Sequence, residues 1–500
     1  MEEVVAALAT DATGVIRKLD HKTAFVPYTL PGELIRFEVT REQSRFMRGR
    51  LLEVLTPSAS RVAAPCRHFG NCGGCQIQHL HPDAHLELKK SWFLETCSRI
   101  GRMSPSDLER MKDVLTTVQL PQLKYRIRAR IHILPPDSTH VMARVGFASA
   151  QTSDGADNSE RDIIPIGECL ILHPMLQQAM AALTTSLKNW SSLGLPQEPL
   201  QAELTICSGN WVQSSEEASD APSERVALTL FSGGRKRKVV ADRRTVQIRE
   251  SLQRNGISML DPKQGDILKI APGSQARLIA GALPWSPQEQ GSDVAAFAVH
   301  RLGFVQPHFC APIVYRSWIR SRCAQAGLTS GSAEVWDLYG GSGLFGHSLA
   351  WQLCQCGISG RVRVVEENPH ALEAARLCCP NPHHGITITH EHVATDHFLK
   401  AELKSSSLKS SGHFGPRIVI ADPPRSGLGN NTVSLIARAM KAGLGGTRRD
   451  LFLISCDPAA GARDVAGLLS EGFKIESCLL ADAFGMTRHY EILTHLSLDA

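Results

Sequence analysis

From Glu334 onward the chain alternates short apolar runs with longer helical stretches. The runs at Glu334 to Leu338, Arg361 to Val365, Arg417 to Ala421 and Leu451 to Ser455 read as strands. Their near-continuous apolar character suits strands covered on both faces, and the helices between them predict an α/β layer with a parallel sheet. In such a sheet, ligands and reactive groups gather at the carboxyl ends of the strands. These four ends carry Asp337 with the turn Gly340, Gly341 and Gly343, then Glu366, then Asp422-Pro423-Pro424-Arg425-Ser426-Gly427, and last Cys456.

The first part of the chain follows a different rhythm. Between Gly14 and about Leu55, period-two runs and the Leu30-Pro31-Gly32 corner predict a small antiparallel barrel. Arg36, Arg41, Arg45, Arg48 and Arg50 crowd its second half, as a phosphate-facing cluster or a solvated basic face. A helix is predicted from about Ala84 to Ile100 and a polar helical segment from Ser106 to Leu115. Strands at Tyr125 to Leu134 and Val141 to Ala150, joined by Pro135-Pro136, begin a central β-rich region continued at Glu203 to Cys207 and Arg225 to Phe231. Polar loops are expected at 151–162 and 213–224, and a surface loop at 404–415. The domains expected are 1–60, 61–295 and 296–500, with the last boundary inside 285–300 and the helical part near 84–118 free to pack on the third domain.

Composition narrows the class. Five hundred residues require two or three domains. With 43% hydrophobic and 21% charged residues, the chain has ample material for soluble cores, and a net charge of +5 permits an anionic partner without demanding one. The start MEEVVAALATDATG lacks the layout of a secretory signal, and no apolar stretch reaches the roughly 18 residues of a membrane span. A cytoplasmic enzyme without a membrane partner is expected. Fourteen cysteines dispersed over this length do not resemble a secreted disulfide scaffold.

Local chemistry then picks out particular residues. Cys456, after a buried strand, is a candidate nucleophile. The glycine turn after Asp337 lets the backbone approach a ligand, and it lacks the Gly-Lys-Ser/Thr clamp of a nucleoside triphosphatase. Glu366 suits the two hydroxyls of a ribose, which leaves a nicotinamide cofactor and S-adenosylmethionine both open. Asp396 is a candidate for an adenine amino group, and the double proline holds Asp422 at the mouth of the sheet. Cys66, Cys72 and Cys75, with Gly73 and Gly74 between the last two, suggest zinc or an iron-sulfur centre whose fourth ligand is not local. Tyr125 to Arg130 alternates aromatic and basic side chains as an RNA-contacting strand would. Cys97, Cys207, Cys310, Cys323, Cys354, Cys356, Cys378, Cys379 and Cys478 are assigned to no metal.

Taken together, FVQPHF at 304 to 309, DLYGGSGLFG at 337 to 346, VVEENPHALEAA, DPPRSGL at 422 to 428, SCDPAAGARD at 455 to 464 and DAFGMTRHYE at 482 to 491 closely resemble the RNA uracil-5-methyltransferase family. The likeness runs over essentially the whole chain. It is greatest to the iron-sulfur-containing large-subunit ribosomal RNA branch with an amino-terminal TRAM-type domain, matched by VPYTLPGELIRF. The resemblance implies a Rossmann-like class I methyltransferase domain (α/β), an amino-terminal OB-like β-barrel and a central β-rich iron-sulfur domain. It implies S-adenosylmethionine bound by Gln306, Asp337, Tyr339, Gly341, Glu366, Asp396 and Asp422, with Gln306 and Asp422 also reading the uracil. Cys456 corresponds to the nucleophile and Glu491 to the general base. Cys169 completes a four-iron four-sulfur [4Fe-4S] site with Cys66, Cys72 and Cys75. Three positions depart from the family pattern: His308 where asparagine is common, Asp457 where asparagine is frequent, and Tyr339-Gly340-Gly341 in place of a Phe-Cys-Gly type of sequence.

The function implied is methylation of carbon 5 of a specific uridine in large-subunit ribosomal RNA by a monomeric enzyme. Transfer RNA methylation, or a catalytically degenerate RNA-binding assembly protein, are the alternatives. Intact Cys456, Glu491, Asp422 and Gln306 weigh against the last.

Overall fold

A computed structural model describes residues 1–19, 22–150, 163–193, 195, 197–207, 224–232, 238–240, 242–260, 267–270, 297–326, 332–378, 385–405, 415–442 and 448–499. The expected loop at 151–162, most of the segments 213–224, 285–300 and 404–415, and Cys379 lie outside the described residues.

Six strands form the first sheet: β1 (Glu2–Val4), β2 (Ala7–Leu8), β3 (Thr13–Leu19), β4 (Lys22–Pro27), β5 (Leu34–Glu42) and β6 (Phe46–Thr56), in the order β1-β5-β6-β4-β3-β2. Ala24, Val26, Ile35 and Phe37 form its core by two-residue alternation. The sheet is not wholly antiparallel as expected, because β5 lies on the far side of β6 and two chain reversals leave β4 and β6 parallel. Of the five arginines read as a phosphate-facing cluster or a solvated basic face, Arg36 is paired with Glu2 and Glu53, and Arg50 with Glu38. This narrows the free basic face.

The middle of the chain serves two layers. Helices α1 (Pro82–Arg99) and α2 (Pro105–Val114) each begin at a capping side chain, His81 and Ser104, followed by proline. Strand β7 (Leu115–Gln119) follows at once and was not foreseen, because five residues of LTTVQ carry no alternation of their own. Beyond it, β8 (Arg128–Leu134), β9 (Arg144–Ala148), β10 (Ile163–Pro165), β11 (Leu200–Cys207), β12 (Arg225–Ser232) and β13 (Lys238–Val239) form a second sheet in the order β10-β9-β8-β11-β12-β13. Helices α3 (Pro174–Ser186) and α4 (Asp242–Arg254) belong to this layer, and α3 contributes Leu176, Met180 and Leu183 to its core. A small pair, β14 (Ile267–Ile270) and β15 (Phe297–His300), leads into the last layer.

That layer contains α5 (Ala311–Gln325), β16 (Ser332–Leu338), α6 (Leu344–Gln355), β17 (Ser359–Glu366), α7 (Pro369–Cys378), β18 (Ile386–His392), α8 (Thr395–Lys404), β19 (Ile418–Ala421), α9 (Gly429–Lys441), β20 (Arg449–Ser455), α10 (Pro458–Ser470), β21 (Lys474–Asp482) and β22 (Glu491–Leu498). Its eight strands run β18-β17-β16-β19-β20-β22-β21-β7. The four predicted strands are present and parallel. β22 is antiparallel to both neighbours, and β7 adds an edge next to β21. The sheet order reverses between β16 and β19, where open α/β sheets leave a crevice.

Alternation along these strands sorts the core into two. Ala333, Val335, Ile418, Ile420, Phe452, Ile454 and Leu493 pack with α5 and α6. Trp336, Leu338, Val419, Ala421, Leu451, Leu453 and Ile492 pack with α1, α8, α9 and α10. Because residues two apart share a face, Asp337, Asp422, Cys456 and Glu491 all fall on the α5 side. Asp482 falls on the other, where α1 supplies Lys89. Their side chains are fully buried, with Nζ 2.6 Å from Oδ1.

No described helix is long and apolar enough to cross a membrane. Lys89→Met leaves the Asp482 charge buried without its cation, and we expect a loss of about 3–5 kcal/mol. Denaturant unfolding of the wild type and variant checks this; an unchanged midpoint would show that the pair does not hold α1 to the sheet.

Candidate active site

Register places the two central groups side by side. In the antiparallel pairing of β20 and β22, Ser455 lies opposite Ile492, so the next step brings Cys456 opposite Glu491. Cross-strand partners of this kind stand roughly 5 Å apart at Cβ. On the other side of β20, Ala421 pairs with Leu453, which sets Asp422 beside them. Thiol and both carboxylates therefore share one face at one end of the sheet.

The loops are shaped to hold them there. After Cys456 the chain turns straight into α10, where Asp457 Oδ1 accepts from Ala460 N at 2.8 Å and Pro458 occupies the first turn. The departure to aspartate at 457 is thus accommodated as a helix cap. After Asp422, the turn closes with Gly427 N donating to Pro424 O at 2.8 Å. Gly427 has φ +81, and a Cβ there would lie 2.4 Å from Asp464 Oδ2. Asp464 in turn accepts from Leu428 N and Gly429 N. Arg425 is left exposed at the tip, where its charge is felt at Cys456 and Glu491.

Burial dominates the electrostatics. The Cys456 thiol is pushed up to about 12, by desolvation first and then by the charges of Glu491 and Asp422, with Arg425 opposing. Desolvation alone raises Asp422 to about 7. Glu491, 3% exposed, is raised well above the usual carboxylate range by burial and then by Asp422. Burial therefore favours the neutral thiol and the neutral Glu491 carboxyl in the resting site. Titratable groups shifted this far and gathered at one strand end mark a candidate reactive site.

The remaining expected cofactor residues line the neighbouring strand ends. Asp337 is fully buried under the glycine turn, with Oδ2 accepting from Gly346 N at 2.8 Å and Oδ1 without a partner. Burial raises it to about 8. A Cβ on Gly346 would meet Asp337 Oδ2 at 2.8 Å, so the close approach requires glycine. Glu366 accepts from Gly341 N at 2.9 Å and Asn368 N at 2.7 Å, which fixes its carboxylate beside the turn. Tyr339 has φ 58, a left-handed conformation rare for a bulky residue, and its hydroxyl is held by Thr432 and Thr395. Asp396 stands apart at the start of α8, where Lys400 holds Oδ2 at 2.8 Å and keeps the carboxyl below its usual range.

Gln306 is 8% exposed in a segment that runs beside Tyr125 to Ile127. Ile127 N donates to Pro307 O at 2.9 Å, and Phe309 N to Tyr125 O at 3.3 Å. His308 is a buried anchor. It stacks on Tyr125 at 4.8 Å, accepts from Cys310 N and donates through Nε2 to Pro121 O, and burial pushes it down to about 4. This corrects the expectation for Tyr125. Its ring is 1% exposed and its hydroxyl donates to Gly485 O, so it cannot stack on an RNA base. Arg128 is likewise held by Glu203 and Gly303 O.

Cys66, Cys72, Cys75 and Cys169 line one cavity of about 60 Å³. The thiols influence one another: burial, then Cys169, Cys72 and Cys66, push Cys75 up to about 12. The fit to a soft metal centre is therefore good in ligand type and convergence. Among the described residues, the one set of three metal-competent side chains with ligand atoms within 4.8 Å of one another is His300, His370 and Glu373, not the cysteines. His300 Nδ1 accepts from Leu302 N, which puts the imidazole proton on Nε2 and disfavours metal there. The cysteine segment also grips the loop before Glu491, since Gln76 N and Ile77 N both donate to Met486 O at 3.2 Å. Met486 packs with Tyr125, Ile171, Cys75 and Cys169.

Reasoning from sequence did not foresee the charge of Arg425 at the site, the anchoring role of His308, the Lys89 pair or this grip on Met486. Arg425 was visible within DPPRSG, whereas the others depend on contacts far apart in the chain.

No family model matches the chain. The chain is 29% identical over 498 residues to the 23S rRNA (uracil(1939)-C(5))-methyltransferase RlmD of Halomonas elongata, covering 98% of this chain and 88% of the relative. It is 27% identical over 497 residues to the protein of the same name from Chromohalobacter salexigens, covering 99% and 89%. Among solved structures, the Pyrococcus abyssi tRNA (uracil-54, C5)-methyltransferase in complex with S-adenosyl-L-homocysteine is similar in fold, with a TM-score of 0.56 and 19% identity over 99% of this chain and 100% of that one.

A thiol raised this far gives a pH signature. Alkylation of Cys456 by iodoacetamide, followed by peptide mass spectrometry, should rise about tenfold per pH unit from about pH 7 to about pH 10 without levelling. A plateau near the ordinary thiol range would contradict the assigned environment.

Proposed function

We propose that the chain belongs to the RNA uracil-5-methyltransferase family and methylates carbon 5 of one uridine in large-subunit ribosomal RNA, using S-adenosylmethionine. The fold is of the class I S-adenosylmethionine-methyltransferase type. The observation that carries the site assignment is the cross-strand pair of Cys456 and Glu491 beside Asp422, all on one face of the sheet.

Uracil carbon 5 is a weak nucleophile while the ring is conjugated. Cys456 sulfur adds to carbon 6, which saturates the bond and leaves an enolate reactive at carbon 5. Bound S-adenosylmethionine supplies an electrophilic methyl on its sulfonium. Carbon 5 takes that methyl, and Glu491 then removes the carbon-5 proton so that the sulfur leaves carbon 6 and the double bond returns. Asp422 and Gln306 orient the uracil edge. The unpartnered Oδ1 of Asp337, the open lone pairs of Glu366 and the glycine-lined approach at Gly341 and Tyr339 suit the methionine and ribose parts of the cosubstrate. Asp396 serves the adenine only if it releases Lys400.

RNA recognition rests on the whole chain. The amino-terminal sheet is read as an OB-like TRAM-type domain, with exposed Arg41 and Arg45 available to phosphates. Phe304, 69% exposed two residues before Gln306, offers a ring for a base displaced when the uridine is extruded. The domain division 1–60, 61–295 and 296–500 describes these functions, with α1, α2 and β7 lent to the third.

The cysteine centre is read as a [4Fe-4S] cluster. Zinc held by the same four thiolates is the alternative. The convergence of four cysteines on one cavity, together with the family resemblance, supports the cluster reading. Methyl transfer needs no electron from it. Its residues act by closing the cysteine segment onto Cys169 and the loop at Met486.

RNA carrying 5-fluorouridine at the target lacks the proton that Glu491 removes. Wild-type enzyme with S-adenosylmethionine should form a stable methylated adduct through Cys456, and Cys456→Ala none. Glu491→Gln should accumulate the methylated adduct on ordinary RNA. No adduct from folded, cluster-loaded wild type on active RNA would overturn the mechanism.

Cys72→Ser is expected to lose iron and sulfide together with the brown absorbance. Stoichiometric zinc without iron in anaerobically purified wild type would contradict the cluster.

A further inference from the structure

Helix α5 begins directly after the Gln306 segment and lays Tyr315 against the face of the sheet that carries Asp422, Cys456 and Glu491. Ile420, Ile454 and Leu493 each stand two residues from one of those three, and all pack in the same core cluster as Tyr315. The shared two-residue alternation puts Tyr315 beneath the reacting groups. Its side chain is completely buried, and its hydroxyl has no hydrogen-bond partner. Glu491 exerts the strongest charge effect on it, followed by Asp422, Asp482 and Cys456.

A buried phenol without a partner is costly, and native proteins satisfy such groups unless another state uses them. The state in which this one would be used follows from the chemistry of Glu491. Burial favours the neutral form of that carboxyl, and it must be ionised to take a proton from carbon 5. The groups around it are Asp422 and Arg425 from the loop after β19, Cys456 after β20, and Tyr315 from α5, while Asp482 lies on the other face of the sheet and is felt at Tyr315. Asp422 opposes its ionisation, Asp482 is engaged by Lys89, and Arg425, which favours ionisation, is exposed. Tyr315 is the buried donor in this set.

We infer that Tyr315 is a positioning residue for the base, its hydroxyl donating a hydrogen bond to the Glu491 carboxylate during removal of the carbon-5 proton. The inference rests on the reading of Glu491 given above. In the step itself, Glu491 takes the proton. The C–H electron pair becomes the carbon 5–carbon 6 double bond, and the carbon 6–sulfur pair leaves on Cys456. Tyr315 keeps its proton throughout and stabilises the charge from which the step starts.

Tyr315→Phe removes only the hydroxyl. Single-turnover reactions on target RNA, followed as covalent complex and as 5-methyluridine across about pH 6 to 9, separate formation of the adduct from its release. The variant should form the methylated adduct at the wild-type rate and release it roughly ten- to a hundredfold more slowly. The acidic limb of release should move up by about one pH unit or more, because the ionised base has lost its donor. The melting temperature without ligands should be equal or higher, since the hydroxyl has no partner to lose. Unchanged release and pH profile would overturn the inference. So would a marked fall in melting temperature, which would mean that the hydroxyl is a structural contact. If the wild type itself forms no adduct, the reading of Cys456 and Glu491 falls first.

Discussion

The site depends on keeping like charges out of water at neighbouring strand ends. Cys456, Glu491 and Asp422 are set on one face by strand register, and burial pushes all three toward their neutral forms. An open site with the same residues would hold ionised carboxylates that repel a thiolate. Here burial lifts all three above their ordinary values, and in the proposed mechanism charge is raised as the uracil enters. Such an arrangement ties reactivity to occupancy, because the protein supplies fixed donors only for the charged states that the reaction passes through.

The reason this end of the sheet holds its shape lies outside the Rossmann-like layer. The antiparallel β22 begins at Glu491, and the loop leading into it is gripped from two directions. Lys89 of α1 holds Asp482 at the loop's start, and Gln76 and Ile77 hold Met486 in its middle. Tyr125 reaches Gly485 from below while stacking on His308 beside Gln306. The cysteine segment, the central sheet and the base-bearing loop therefore form one mechanical unit.

Much of this was legible in the sequence, for identifiable reasons. The four parallel strands announce themselves as apolar runs because both of their faces are covered. Gly346 and Gly427 stand where a Cβ would strike a carboxylate, so the motifs around Asp337 and Asp422 reflect steric necessity. What stayed hidden depends on distant partners. β7 is a strand only because β21 offers it an edge. Tyr125 looked like an RNA contact from its basic neighbours, but 360 residues of intervening chain bring Gly485 to its hydroxyl. Cys169 followed from family resemblance alone, and the cavity it shares with Cys66, Cys72 and Cys75 is a property of folded space. His308, a departure from the family pattern, is explained only once its stack on Tyr125 is seen.

The central claim is that these buried groups act on one uridine of large-subunit ribosomal RNA. Mass-resolved mapping of 5-methyluridine in total RNA, from cells with the wild-type chain and cells in which it carries Cys456→Ala, tests that claim most directly. The account predicts the loss of methylation at one large-subunit uridine in the variant, with every other position unchanged. Full methylation at every ribosomal site in both cell lines, or a loss confined to transfer RNA, would contradict it.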